Sequence, residues 1–259
     1  MKEVLKQHLG AILAAVSFLT RVPMPLWVGS NGQAIAKASR WFSLVGLLLG
    51  LIAAVSLYLL SLLVGQMLAV VLTLVAMILL TGAFHEDGLA DLCDGFGGGW
   101  QTERKLAIMK DSQIGTYGVL ALVASFSIKL ITLLQLPLSV ACISLIVCHA
   151  GSRTIAGLVA IYLPYARTSH NNKTPQKDAS LPLKNRLILL IFGGLPLFLL
   201  PLSAALGLIL IWLLTFFYLI RLMDHHIQGY TGDTLGATQQ VIEITGLIYF
   251  AAYYYQLTL

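Results

Sequence analysis

Charge is what this chain has least of. Only 10% of its 259 residues are Asp, Glu, Lys or Arg, against about 25% in a soluble domain. With 58% hydrophobic residues and a mean hydropathy of +0.86, that scarcity excludes an ordinary soluble globule and identifies an integral membrane protein. Cysteine is also scarce: Cys93, Cys142 and Cys148 have neither zinc nor redox spacing, and the last two sit in apolar runs as packing residues. No Lys/Arg-rich run with interleaved aromatics occurs, so nucleic acid is not an expected partner despite the net charge of +5. The stretch from Met1 to Phe18 lacks a small-residue cleavage site and is read as mature chain rather than signal peptide.

Apolar stretches of spanning length are expected at about 41–64, 66–84, 117–136, 139–162, 187–202 and 204–221. They pair through the short turns Gly65-Gln66, Leu136-Pro137-Leu138 and Pro201-Leu202-Ser203, none of which carries a Lys, Arg, Asp or Glu. The long connections, 21–40, 85–116, 163–186 and 222–243, hold nearly every charge, and the positive-inside rule puts all four in the cytoplasm. Residues 4–20 read as an interfacial or re-entrant helix, because a full span would place Lys2 and Lys6 outside. The aromatic segment 242–257 is a candidate seventh span. The expected fold is an all-α integral membrane protein with six or seven transmembrane helices in tight hairpins, forming one polytopic domain over 1–259. Its polar loops gather on the cytoplasmic face of a bacterial inner membrane, in contact with membrane lipid. The sequence leaves the oligomeric state open, a homo-oligomer included.

Four of the eleven acidic residues fall within nine positions, as Glu86, Asp87, Asp91 and Asp94, directly after an apolar run. If the segment is helical, Asp87, Asp91 and Asp94 share one face at i, i+4 and i+7. Like charges so placed beside hydrocarbon call for a cation, and oxygen ligands without a His or Cys framework suit Mg²⁺ or Mn²⁺. The same connection holds Arg104, Lys105, Lys110 and Asp111, so metal and cations together suit a phosphate ester. Asp111 is open to two roles, metal ligand or general base on one hand and cap of a helix beginning near Ile114 on the other. A second polar island contains Thr231, Gly232, Asp233 and Thr234, whose hydroxyls, backbone and carboxylate suit phosphate, ribose or metal. Arg21, between a short helix and two prolines, is a phosphate binder or a snorkelling anchor. Arg153 lies near the cytoplasmic end of a span, so it is a functional candidate by default. Lys129 lies nearer mid-span and needs a partner that the sequence does not name. His225 and His226 are adjacent, point different ways on a helix and read as interfacial.

These motifs resemble the cobalamin synthases, the adenosylcobinamide-GDP ribazoletransferases. The resemblance rests on the runs 18–25 (Phe18 to Pro25), 81–95 (Thr81 to Gly95), 108–118 (Ile108 to Gly118) and 231–237 (Thr231 to Ala237), in the family's order and across nearly the whole chain. At the position of Glu86 family members often carry Leu. The resemblance implies a Mg²⁺-dependent enzyme that joins adenosylcobinamide-GDP and α-ribazole, or α-ribazole 5′-phosphate, giving cobalamin or its 5′-phosphate and GMP. Under it, Asp87, Asp91, Asp94 and Asp111 would hold metal, and Glu86 or Asp111 would take a proton. Arg104, Lys110 and Arg153 would stabilise phosphoryl oxygens, and Arg21, Thr231, Gly232, Asp233 and Thr234 would bind substrate. A partial likeness to CDP-alcohol phosphotransferases stops at Asp91-x-x-Asp94-Gly95, because Phe96-Gly97-Gly98 does not supply their Ala-Arg. A cation-coupled transporter is the alternative from another class, although its acids would be expected near the bilayer midplane.

Overall fold

The computed structural model describes residues 2–25, 27–28, 32–167 and 182–257. Ten α-helices are present among them: α1 (Lys2–Leu19), α2 (Gly32–Ala38), α3 (Phe42–Thr81), α4 (Phe84–Gly98), α5 (Thr102–Ile108), α6 (Thr116–Gln135), α7 (Leu138–Tyr162), α8 (Leu183–Gly194), α9 (Leu202–Ile227) and α10 (Gly232–Leu257). The protein is all-α, and the described residues contain no strand beyond a single bridge between Tyr165 and Tyr230. By length and composition, 39–81, 116–135, 138–162 and 202–227 are apolar enough to cross a membrane.

A straight helix of forty residues would be about 60 Å long. Yet Phe42 at the start of α3 and Phe84 just past its end both meet the ring of Phe18, with centroids 5.6 and 5.1 Å away. The chain doubles back at Gly65, whose φ of 76° and ψ of 159° lie outside the range open to a side-chain-bearing residue. The charge-free connections lie together. Gln66 donates to the carbonyl of Leu136 (2.8 Å), Ser203 and Tyr253 share a hydroxyl hydrogen bond (3.0 Å), and Gln135 and Tyr254 line one cavity. At the opposite end sit α4, α5 and the Tyr165–Tyr230 bridge.

Helix α7 runs through the middle of the bundle, with α3, α8, α9 and α10 around it. Gly46 and Gly50, four residues apart, let α3 approach the backbone of α7 closely; a Cβ at Gly50 would lie 2.7 Å from the Cα of Ile146. The outer faces of α3 and α9 expose Leu, Ile, Phe and Val, as a lipid-facing surface requires.

Three expectations are corrected. The stretch 187–202 is not one long helix: α8 ends at Gly194 and passes into a 3₁₀ turn over Leu195–Leu199, since Pro196 has no N–H for the α-helical ladder. The connection 222–243 is largely helical, leaving only 228–231 between α9 and α10, and 85–116 contains α4 and α5. Thr238, Gln239, Gln240 and Glu243 read as loop because they are polar, but they form the buried face of α10 at the bundle centre. That polarity also keeps α10 out of the set apolar enough to cross a membrane.

Candidate active site

The acidic helix is set by two consecutive left-handed residues. Gly82 (φ 69°) and Ala83 (φ 58°) end α3 and redirect the chain into α4. Asp87, Asp91 and Asp94 are therefore helical, one and nearly two turns apart. Gly88 lets the start of α10 cross α4 in contact: a Cβ there would lie 2.6 Å from the carbonyl oxygen of Asp233. This crossing carries Asp233 to the acidic face. Burial, reinforced by Asp87 and Asp233 and opposed by Arg167, pushes the half-buried Asp91 carboxyl up to about 7. Burial raises Asp233 as well, although Arg167 donates to its Oδ2 at 2.7 Å and Thr231 at 3.4 Å. Among the described residues, Asp87, Asp91 and Asp233 therefore form one electrostatically coupled carboxylate cluster with the Arg167 guanidinium against it.

Asp94 faces inward and does a different job. Its Oδ2 accepts the backbone N–H of Gly115 (2.7 Å) and its Oδ1 that of Gly118 (2.8 Å), so it caps the N-terminus of α6 from a neighbouring helix. A Cβ at either glycine would fall on the carboxylate. Asp94, Arg104, Asp111 and Tyr117 line an open cavity of about 410 Å³. Asp111 accepts the N–H of Gln113 (3.1 Å) and so closes its own turn, while α6 starts later, at Thr116. Lys110 is exposed beside it.

The other candidates are placed as follows. Thr231 and Thr234 are buried and cap the start of α10 reciprocally, each hydroxyl accepting the other residue's backbone N–H (3.3 and 2.9 Å). Gly232 between them is exposed, with open space where a Cβ would stand. Arg21 is exposed and lies across Gly82. Glu86 turns away from Asp87 and accepts from Gln240 at 3.0 Å. Arg153 is 4% exposed and donates to Glu243 (3.1 Å), Ser152 (3.2 Å) and the carbonyl of His149 (3.3 Å). Lys129 donates to Glu243 (2.7 Å) and to Gln240 (2.8 Å), which supplies the partner the sequence left unnamed. His226 stacks on Phe96, with ring centroids 4.3 Å apart. Arg153 is thus not brought to Arg104 and Lys110; it belongs to a buried network inside the bundle. Lys173 and Lys177 lie outside the described residues.

Two residues were missed. Arg167 looks in the sequence like one more cytoplasmic positive charge, and only folding sets it on Asp233. Glu243 had a legible signal, since Lys129 and Arg153 both require an anion and it is the one acid within 242–257.

No three His, Cys, Asp or Glu side chains among the described residues are close enough to hold an ion on their own. The donors fit Mg²⁺ in kind: they are carboxylate oxygens, Asp91 being raised first by burial and then by its acidic neighbours, and Mg²⁺ commonly takes one or two carboxylates and completes its shell with water and phosphate.

A family model described as cobalamin-5-phosphate synthase matches residues 11–251. A relative from Shewanella pealeana, called adenosylcobinamide-GDP ribazoletransferase, is 42% identical over 243 residues, covering 93% of this chain and 94% of its own. Relatives of the same description from Shewanella baltica (42% over 241 residues, 92% of each chain) and Shewanella amazonensis (42% over 246 residues, 92% and 94%) agree. No solved structure matches. The carboxylate helix, the start of α10 that crosses it and the α6 cap all fall inside the matched region, and this chain belongs to the cobalamin-5-phosphate synthase family.

Proposed function

We propose that the protein transfers the cobinamide phosphate of adenosylcobinamide-GDP to the 3′-hydroxyl of α-ribazole or its 5′-phosphate, releasing GMP and forming cobalamin or its 5′-phosphate. The observation that carries this reading is the carboxylate cluster of Asp87, Asp91 and Asp233, built at one end of a membrane bundle within the region shared with the family. One or two of Asp87, Asp91 and Asp233, together with water and the substrate phosphates, would hold Mg²⁺, which when bound supplies charge neutralisation for the diphosphate and the departing GMP.

The chain's own groups do the rest. Arg104 and Lys110 on one side and Arg167 on the other offer donors to phosphoryl oxygens. Asp111, at the rim of the open cavity, accepts the proton of the attacking hydroxyl. Asp94 keeps the 115–118 backbone in place rather than contacting substrate. Thr231 and Thr234 hold the shape of the turn in which Gly232 leaves room for a bulky substrate, and Arg21 adds a cation beside the same corner. Arg153 stays outside this set because Glu243 holds its guanidinium within the bundle.

The same reading orients the protein. Six or seven spans, with α10 as the last and α1 in the interface, would place the site end in the cytoplasm of the inner membrane, where the basic connections belong. Purified protein incubated with Mg²⁺, adenosylcobinamide-GDP and α-ribazole should release GMP and form cobalamin in equal amounts. Lack of GMP would sink the proposal, and CMP release from a CDP-alcohol donor or cation transport without transfer would favour its alternatives.

A further inference from the structure

Nine buried side-chain polar atoms among the described residues lack a hydrogen-bond partner, and four of them sit on residues that line one cavity: Thr73 Oγ1, Glu86 Oε2, His149 Nδ1 and Arg153 Nε. Buried polar groups are ordinarily paired, so such a concentration marks a place where something else supplies the partners. The cavity holds about 270 Å³, a little below the range of about 300–1,000 Å³ for drug-sized ligands. It runs from the α3–α4 corner into the bundle between α3, α6, α7 and α10.

Its chemistry restricts the occupant. Two cations, Lys129 and Arg153, and two acids, Glu86 and Glu243, line it, so their formal charges balance. A charged ligand would bring uncompensated charge into a low-dielectric interior. Most of the remaining wall is apolar, from Leu74, Met77, Ile78, Leu122, Phe126 and Leu145, with His85, Ser125 and Gln240 adding a few polar groups, which suits a flat, largely apolar body. The free donor on Arg153 requires an acceptor on that body. Position adds a further constraint. Glu86 lines the cavity while Asp87, the next residue, belongs to the carboxylate cluster, so the cavity mouth and the phosphate chemistry share one turn of α4.

We infer that this intramembrane cavity binds an uncharged nitrogen heterocycle of one or two rings, the benzimidazole base of α-ribazole, and so presents the attached ribose to the carboxylate cluster. The assignment rests on the proposed transfer reaction for the identity of the base, and on the cavity alone for its class. Guanine, which carries several polar edge groups, fits the apolar wall poorly, so the GDP part of the other substrate belongs outside.

The test uses the full chain in detergent micelles, first by direct binding without metal or turnover. Benzimidazole and α-ribazole should bind, while indene, which has the shape without the nitrogens, and guanosine should bind at least tenfold more weakly. A photoactivatable azidobenzimidazole should label peptides within 73–81 and 122–129. Ile78→Trp and Leu122→Trp, which fill the cavity, should weaken benzimidazole at least tenfold, whereas Leu79→Trp on the lipid-facing side of α3 should not. Labelling confined to other segments, equal binding of indene, or unchanged affinity in both folded cavity-filling variants would each overturn the inference. The labelling and the indene comparison need no variant, so a misfolded variant does not protect the idea. If GMP release occurs but the cavity takes no heterocycle, the transferase reading survives and this inference falls. If the heterocycle binds as stated but no GMP forms, the cavity stands and the reaction assignment fails.

Discussion

Asp91 and Asp94 lie three residues apart in one acidic run, and of the two replacements by Asn only that of Asp94 should cost stability. Asp94 is buried, and each of its oxygens accepts a backbone N–H at the start of α6, at 2.7 and 2.8 Å. Hydrogen bonds to a charged group contribute about 1.5–3 kcal/mol each, whereas a neutral one contributes about 1 kcal/mol. Asn keeps one acceptor oxygen and turns an NH₂ group toward the other N–H. The loss should therefore be about 2–4 kcal/mol, together with displacement of the 115–118 backbone that shapes the open cavity. Asp91 instead faces Asp87 and Asp233 and is held near neutrality by burial and by their charge. Asn removes one of the repelling charges, so metal-free Asp91→Asn should be as stable as the parent or more so. Both variants should lose transfer, Asp94→Asn with the fold and Asp91→Asn without it. Denaturant unfolding of the detergent-purified variants without Mg²⁺, followed by tryptophan fluorescence and far-UV circular dichroism, makes the comparison. Equal stability of Asp94→Asn and parent, or an equal loss in both variants, would refute the reasoning.

The pH dependence follows from the same group. The folded-state value of Asp91 is raised from 3.8 to about 7, so folding favours its protonated form. Its contribution is fully present below about pH 4 and is lost as pH rises through 7; the stability of metal-free protein should fall over that window, with a smaller slope in Asp91→Asn. Divalent-ion affinity should weaken as pH drops below 7, measured by Mn²⁺ titration, and a flat profile would contradict the cluster. Glu243→Gln should cost about 3–5 kcal/mol, because Lys129 and Arg153 would remain buried without their shared anion. The double change Lys129→Met with Glu243→Gln should recover part of that loss, and a fully additive double variant would argue against the network. A cysteine at Ser203 should label from outside intact cells and one at Lys110 only after permeabilisation; the reverse pattern would invert the proposed orientation.

Some of this protein was settled by local pattern alone. Low charge and long apolar runs dictated membrane helices, because hydrocarbon tolerates neither free backbone groups nor unpaired charge. The i, i+4, i+7 spacing of Asp87, Asp91 and Asp94 was sufficient to put them on one side of a helix once that helix formed, and the motif order identified the family. Only the tertiary structure decided what each acid faces. Asp94 and Asp91 are the same residue type on the same helix, yet one meets the free N–H groups of α6 and the other meets Asp233. That difference depends on Gly88 and Gly115 allowing other helices to approach within contact distance, which no periodicity reveals. Polarity misled for the same reason. Gln239, Gln240 and Glu243 resemble a solvated connection in a sequence, whereas in a membrane bundle the inside is where polar residues find partners, here Lys129 and Arg153 from two other helices. Pairings more than a hundred residues apart along the chain, such as Lys129 with Glu243, arise from how helices pack, and packing is a property of the whole fold.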